Sequence, residues 1–212
     1  MATKKILVMG LERGGTEYTA KALQSVGIKA RHEGVYNSSG YVAWGESVDV
    51  DVSHYSVGYY EKTHRTDVVI FHQTRDPVSC INTHATHFGT AGWENFKSAY
   101  HYKQHPEIFG YDDPVDRAIA YYVLQNKTID RDHSPSFRYR VEDVDESTID
   151  TFFSILEKTP DYDFHSTVGQ VSKSTNSSTE GLKKTNYDLP YILSRKSKEA
   201  RELPTLIQEY GY

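Results

Sequence analysis

Lys4-Lys5-Ile6-Leu7-Val8-Met9-Gly10-Leu11-Glu12-Arg13-Gly14-Gly15-Thr16-Glu17-Tyr18 is the stretch that decides how this chain folds. Ile6 to Met9 is a short, wholly apolar run, the pattern of a strand buried on both faces of a parallel sheet. Gly10 to Gly15 forms a glycine-rich turn, and a helix starts near Thr16. In that order, backbone N–H groups and a helix N-terminus converge on one point and make an anion cradle. Arg13 adds a cation inside it.

The skeleton Gly10-x4-Gly15 follows the outline of a Walker P-loop, which continues with Lys and then Ser or Thr. Here Thr16 and Glu17 follow instead. Both the lysine that reaches the β- and γ-phosphates and the hydroxyl that holds magnesium are missing. A donor that carries phosphates without a loop-bound metal fits this turn better than ATP. Glu17 suits a helix N-terminus electrostatically but repels a phosphate there, so its carboxylate is expected to point away or to accept from a neighbour.

Strand and helix alternate outward from this stretch, which predicts a parallel α/β sheet. Tyr18, Ala22 and Val26 make a buried stripe on the first helix, with Gly27 as its C-cap. Ile28 to Arg31 reads as a second short strand ending at His32-Glu33. Residues 34–51 read as loop, and a short helix is expected over 56–62. Asp67 to His72 is the next clear strand. Pro77 opens a helix to about His84, and residues 87–112 read as an irregular, aromatic insertion. Asp113 caps a long helix with Pro114 in its first turn and an apolar face of Val115, Ile119, Tyr122 and Val123, reaching about Asp130. Phe137 to Val141 reads as a strand. Asp145 or Ser147 caps a helix with the stripe Ile149, Phe152, Phe153 and Leu156. A Ser/Thr-rich flexible loop over about 166–186 and a last helix from Leu189 to Glu209, broken near Pro204, complete one domain over residues 1–212.

The chain has 212 residues, enough for a single core, and a net charge of −5, which leaves no general basic footprint for nucleic acid. No apolar run approaches membrane-spanning length. The N-terminus enters a strand without a secretory apolar region. The single cysteine, Cys80, has no internal partner, which favours a reducing, cytoplasmic compartment. Seventeen tyrosines imply much aromatic packing, and the aromatic stretch from Phe88 to Tyr111 suits stacking on a sugar or ring.

Arg75-Asp76-Pro77 lies just past the Asp67–His72 strand, at the sheet edge where ligands bind in open α/β folds. Thr83 follows Arg75 two helical turns on, with Ser79 one turn before it. An Arg and a hydroxyl so spaced suit one phosphate group; a local Arg75–Asp76 pair capping the helix is the structural alternative.

The ordered pair of segments, strand-Gly-x-x-Arg-Gly-Gly-Thr-helix and strand-Arg-Asp-Pro-x5-Thr, resembles the sulfotransferases that use 3′-phosphoadenosine 5′-phosphosulfate (PAPS). Tyr139-Arg140-Val141-Glu142-Asp143-Val144 is similar to that family's strand-end YRxEDL, and Ile207 to Tyr212 to its common chain end. The resemblance implies a P-loop-type three-layer α/β/α fold. It also implies transfer of a sulfuryl group to an acceptor hydroxyl or amine of a small molecule or saccharide, with the bisphosphate PAP as product and no metal required. It assigns Arg13, Gly14, Gly15, Thr16, Glu17 and Tyr18 to the 5′-phosphosulfate loop, with Arg13 also stabilising charge during transfer, and Arg75 and Thr83 to the 3′-phosphate. The family's basic, glycine-containing segment that closes over the donor is not recognisable. Lys173, Asn176, Lys183 and Lys184 lie in that region without a motif.

Sulfuryl transfer needs a group that takes the acceptor's proton. Glu33 stands where the resemblance puts a carboxylate base, and it serves if burial raises its pKa. His32 is the second candidate, because an imidazole in general accepts a proton near neutrality without such help. In an extended segment these neighbours point to opposite faces, so one of the two faces the donor. His54, upstream of the Arg75 strand, is the third candidate. His84 and His87, at i and i+3, read as a polar pocket wall rather than a metal site. The rival readings are a small-molecule kinase or other P-loop NTPase, and a non-catalytic nucleotide-binding protein of the same fold. Because the Lys–Ser/Thr pair is missing after Gly15, affinity for the bisphosphate product is expected to be the same with and without a chelator in a calorimetric titration. A large loss in chelator would point to the NTPase.

Overall fold

The computed structural model describes residues 4–38, 40–41, 44–45, 47–59, 66–90, 104–172 and 185–212, with the backbone alone at 40 and 41. Lys173, Asn176, Lys183 and Lys184, most of the aromatic stretch over 91–103, the end of the helix expected over 56–62, and His64 and His101 lie outside the described residues.

The strands are β1 (Lys5–Met9), β2 (Ala30–His32), β3 (Tyr36–Asn37), β4 (Gly40–Tyr41), β5 (Val50–Val52), β6 (Val68–Thr74) and β7 (Phe137–Arg140). Five of them form one all-parallel sheet in the order β2-β5-β1-β6-β7, and β3 and β4 pair as a small antiparallel hairpin. The helices are α1 (Thr16–Ser25), α2 (Ser56–Tyr59), α3 (Pro77–Phe88), α4 (Pro114–His133), α5 (Glu146–Ile155), α6 (Leu189–Leu193) and α7 (Lys198–Glu209).

Helices cover both faces of the sheet, giving three layers. Alternate residues of β1 point to opposite faces. Ile6 and Val8 join Tyr18, Ala22 and Leu23 of α1 and Ile149, Phe152 and Phe153 of α5 in one core. Leu7 and Met9 pack with Ile70 and Ile129 on the other side. Leu11, α3, α4, α6 and α7 close a third cluster around Tyr121, Tyr122 and Phe88. Among the described residues no helix is long and apolar enough to cross a membrane.

The expected cap Asp113 accepts from Val115 N–H at 2.7 Å, and of the two candidates Asp145 and Ser147 it is Asp145 that caps, accepting from Thr148 N–H at 2.8 Å. Gly27 ends α1 at φ 82°. Several boundaries differ from the sequence reading. β2 starts two residues later than expected, α3 runs on to Phe88, and β7 stops at Arg140 before a 3-10 turn over Val141–Asp143. Short 3-10 turns also lie at Pro106–Gly110, inside the expected insertion, and at Val168–Gln170, inside the expected loop.

Two differences have a clear physical cause. The segment read as loop over 34–51 contains the β3–β4 hairpin and leads into β5, a full member of the central sheet. The strand is only three residues long and has a carboxylate at its centre, so it carries no apolar run. Asp51 is nevertheless fully buried, and its two oxygens accept from Gly34, Val35 and Tyr36 N–H at 2.9, 3.1 and 3.0 Å. Three such bonds offset part of the desolvation cost of that carboxylate. Val50 and Val52, both fully buried, contribute roughly 1.5–3 kcal/mol each.

The last helix breaks over residues 194–197, not at Pro204, which lies inside α7. Ser197 caps a new helix start, and Arg195 is held between Asp113 and Asp116 at 2.8 and 2.6 Å. Pro204 sits on the exposed face of α7.

β6 extends to Thr74 through the buried polar run His72-Gln73-Thr74. His72 meets Asp130 Oδ1 and Asn126 Oδ1 of α4, each at 2.9 Å. Asp130 also accepts from Arg138 at 2.6 Å and from the Tyr210 hydroxyl at 2.7 Å. Burial alone would raise the Asp130 carboxyl, but the hydrogen bond and charge of His72, with the bonds from Arg138 and Tyr210, hold it down at about 2. A lowered carboxylate stabilises the fold above its ordinary value near 3.8 and loses that contribution as pH falls toward 2. Asp130→Asn is therefore expected to remove about 2 kcal/mol of pH-dependent stability from the acid limb. Urea unfolding from about pH 6 to pH 2 measures it, and an unchanged slope would refute it.

Candidate functional site

Strand order fixes where the site lies. From β1 the chain leaves through α1 toward β2 on one side, and from β6 it leaves through α3 and α4 toward β7 on the other. The two adjacent strands therefore part at their C-terminal ends, and that crevice is where ligands bind in open α/β sheets. The glycine-rich turn follows β1 into it, and Arg75 follows β6.

In the turn, Arg13 and Gly15 both adopt left-handed backbone, at φ 57° and 85°. A side chain at Gly15 would also lie 2.8 Å from Val141 Cγ2, so the position requires glycine twice over. The Gly14 N–H returns to the Leu11 carbonyl at 3.0 Å. The carbonyls of Arg13 and Gly14 point inward, the first accepting from Arg75 Nη1 and the second from Gln73 Nε2 at 2.6 Å. The two segments, 62 residues apart in sequence, thus meet directly.

Around this turn the predicted residues divide. The Arg13 side chain is mostly buried, with Nε 3.7 Å from Glu12. Glu17 turns along α1 to Lys21 at 2.8 Å, which answers the question its charge raised. The Tyr18 side chain lies in the core against β1, 3% exposed, so only its backbone is available to a ligand at the helix start. Asp76 is the helix cap, accepting from Ser79 N–H at 2.7 Å, and Arg75 turns to the glycine-rich turn. Thr83 stands two turns into α3, where its hydroxyl donates to the Ser79 carbonyl at 2.8 Å; it would have to rotate to meet a phosphate.

His32, Glu33 and His54 converge. Glu33 does not continue the strand: its φ is 53°, and this left-handed turn brings its carboxylate back beside His32. The expectation that the two side chains face opposite ways is thereby corrected. Glu33 Oε1 lies 3.2 Å from His32 Nε2 and 2.8 Å from His54 Nδ1. His32 Nε2 is also 2.9 Å from the Thr16 hydroxyl, which joins the cluster to the cradle. Asp51 holds this turn through the next three N–H groups, and burial pushes its own carboxyl up to about 6 against those bonds. Burial also pushes Glu33 upward, but the hydrogen bonds and charge of the two histidines prevail and hold it at about 2. The condition set for Glu33 as a lone base, a raised pKa, is not met.

The YRxEDL-like segment braces the site from β7. The Tyr139 hydroxyl donates to Gln73 Oε1 at 2.9 Å, and Val141 packs on Gly15. Glu142 accepts from Asp76 N–H at 3.0 Å and from the Tyr212 hydroxyl at 3.1 Å. Arg140 lies over the Tyr212 ring and bonds the Gly211 carbonyl. His84 is buried against Tyr121, with Nδ1 2.9 Å from the Cys80 carbonyl, and burial lowers it to about 4; burial lowers the half-buried His87 as well. Among the described residues no three His, Cys, Asp or Glu side chains are placed to hold a metal.

Gln73 and Asp51 were not singled out from sequence, and Glu142 only as part of the YRxEDL-like segment, without a role. Each is a polar residue within or beside an apolar strand, and that misfit was the available signal. No protein-family model matches this chain, and no curated protein matches it in sequence.

Proposed function

We propose that this chain is a sulfotransferase that takes a sulfuryl group from PAPS and passes it to an acceptor hydroxyl or amine. The reading rests on the sequence resemblance, and one observation carries it further: Arg75, the residue assigned to the 3′-phosphate, bonds the carbonyl of Arg13 in the glycine-rich turn. A nucleotide with phosphates at both ends of one ribose needs two anion sites joined in this way. The remaining N–H groups of the Arg75 guanidinium suit a phosphate.

In this reading the turn's N–H groups, the start of α1 and Arg13 bind the 5′-phosphosulfate and stabilise the charge that grows on the departing phosphate. The acceptor oxygen forms the new S–O bond as the bond from sulfur to the 5′-phosphate breaks. The acceptor proton passes to the His32–Glu33–His54 cluster, which acts as one coupled acid–base unit. Glu33 orients the two imidazoles and balances the charge gained; the imidazoles supply the proton affinity. Thr16, against His32, links cradle and cluster. A kinase reading lacks its lysine, and the one hydroxyl at the helix start is engaged with His32.

Calorimetry with PAP, set against ATP with magnesium, tests the donor; tight binding of ATP alone would sink the reading. Because Arg75 both anchors the turn and is assigned the 3′-phosphate, Arg75→Ala is expected to weaken PAP by about 1.5–3 kcal/mol and 5′-AMP by clearly less. Equal losses for both ligands would leave Arg75 an anchor only.

Glu33→Gln keeps the side-chain shape and removes its charge. PAP affinity is expected to stay within about threefold while turnover, followed first as donor hydrolysis, falls roughly 10²-fold. Wild-type turnover in this variant would remove the cluster from the mechanism.

A further inference from the structure

We infer that Gln73 is the positioning residue of the anion cradle: its side-chain amide fixes the Gly14–Gly15 peptide so that the Gly15 N–H faces the bound phosphate. The inference rests on the phosphate-binding reading of the glycine-rich turn. Gln73 is the next-to-last residue of β6, 1% exposed, on the α1 side of the sheet with Phe71. Its amide makes three bonds to three separate segments. Nε2 donates to the Gly14 carbonyl at 2.6 Å, and Oε1 accepts from the Thr19 hydroxyl of α1 at 2.5 Å and the Tyr139 hydroxyl of β7 at 2.9 Å. The amide's orientation follows from chemistry: a carbonyl only accepts, so the NH₂ must face Gly14, and the two hydroxyls supply the hydrogens to Oε1.

In a planar trans peptide the C=O and the following N–H point in opposite directions. Tying the Gly14 carbonyl down into the sheet therefore turns the Gly15 N–H outward, into the crevice. No described residue accepts that N–H. The preceding peptide contributes nothing comparable, because the Gly14 N–H is returned to Leu11. Flanked by two glycines, the Gly14–Gly15 peptide has no Cβ on either side to restrict its rotation, so an external anchor must set its plane. A leucine or methionine would fill the volume of Gln73 in this core without the cost of burying an amide. What the amide adds is direction for one peptide.

Gln73→Glu tests this with a near-isosteric side chain. A protonated carboxyl donates to the Gly14 carbonyl and accepts from Thr19 and Tyr139, as the amide does. An ionised one presents only lone pairs to that carbonyl. Burial raises a carboxyl's pKa, so the change falls within an accessible pH range. Affinities for PAP and for inorganic pyrophosphate are measured by calorimetry from about pH 5.5 to 8.5 and expressed relative to the wild-type protein at the same pH. Gln73→Glu is expected to bind within about threefold of wild type at the acid end and about 10- to 100-fold more weakly at the alkaline end. Gln73→Met is expected to lose a similar factor at every pH. The Gly15 amide resonance, followed without ligand, is expected to shift in Gln73→Glu with the same midpoint. A pH-independent ratio in Gln73→Glu, wild-type affinity in Gln73→Met, or an unmoved Gly15 resonance overturns the inference. If the wild-type protein binds neither anion, the phosphate-binding reading fails, while the Gly15 resonance still decides whether Gln73 sets that peptide.

Discussion

Everything at the sheet's open edge depends on the inward-facing carbonyls of the glycine-rich turn being satisfied from below. A buried strand that ends in a tight turn exposes a row of backbone polar groups that must each find a partner. Here the neighbouring strand β6 and the residue just past it supply those partners: Gln73 holds the carbonyl of Gly14 and Arg75 that of Arg13. With its carbonyl taken on the protein side, the Gly14–Gly15 peptide turns its N–H toward the crevice, while the Gly14 N–H returns to Leu11. Strand pairing between β1 and β6 sets Met9 beside His72 and so brings the turn over the last residues of β6; the anion preference proposed for the turn would follow from that pairing.

A second arrangement, built on charge, lies on the other side of β1. Asp51 is buried in the short strand β5 and takes three successive N–H groups of the turn after β2. That clamp holds the left-handed backbone at Glu33 and brings its carboxylate between two imidazoles, one at the end of β2 and one just past β5. The two histidines outweigh burial and keep Glu33 ionised to about pH 2. A carboxylate so placed is a poor proton acceptor by itself and a good partner for an imidazole that accepts one. The Thr16–His32 contact makes cradle and cluster neighbours.

The far side of the crevice is braced by residues that touch no candidate ligand group. Glu142 receives the Asp76 N–H and the Tyr212 hydroxyl, so the last residue, the 3-10 turn after β7 and the start of α3 are tied together. Arg138 and Arg140 lie over the rings of Tyr210 and Tyr212, adding cation–π contacts. The segment that resembles YRxEDL acts structurally in this fold, holding the end of β6 against the glycine-rich turn.

Much of this was legible in the sequence because local rules apply there. The apolar run Ile6 to Met9, the glycine spacing after it, the Asp113-Pro114 cap and the stripe Ile149, Phe152, Phe153 and Leu156 each depend on near neighbours in the chain, and each was read as it folds; the cap of α5 was narrowed to Asp145 or Ser147. The glycine-rich turn between β1 and α1 and the place of Arg75 just past β6 were legible for the same reason. Strand β5 was not, because its three residues and central carboxylate carry no periodic signal; its place is decided by β1 on one side and β2 on the other. The break before α7 was misplaced because proline is tolerated on an exposed helix face. The meeting of His32, Glu33 and His54 was hidden by one left-handed residue, which reverses the alternation of a strand. The roles of Gln73 and Asp51 were decided by tertiary structure alone. A buried amide or carboxylate acquires its function from the partners that long-range pairing brings within hydrogen-bond distance, and those partners lie on other segments of the chain.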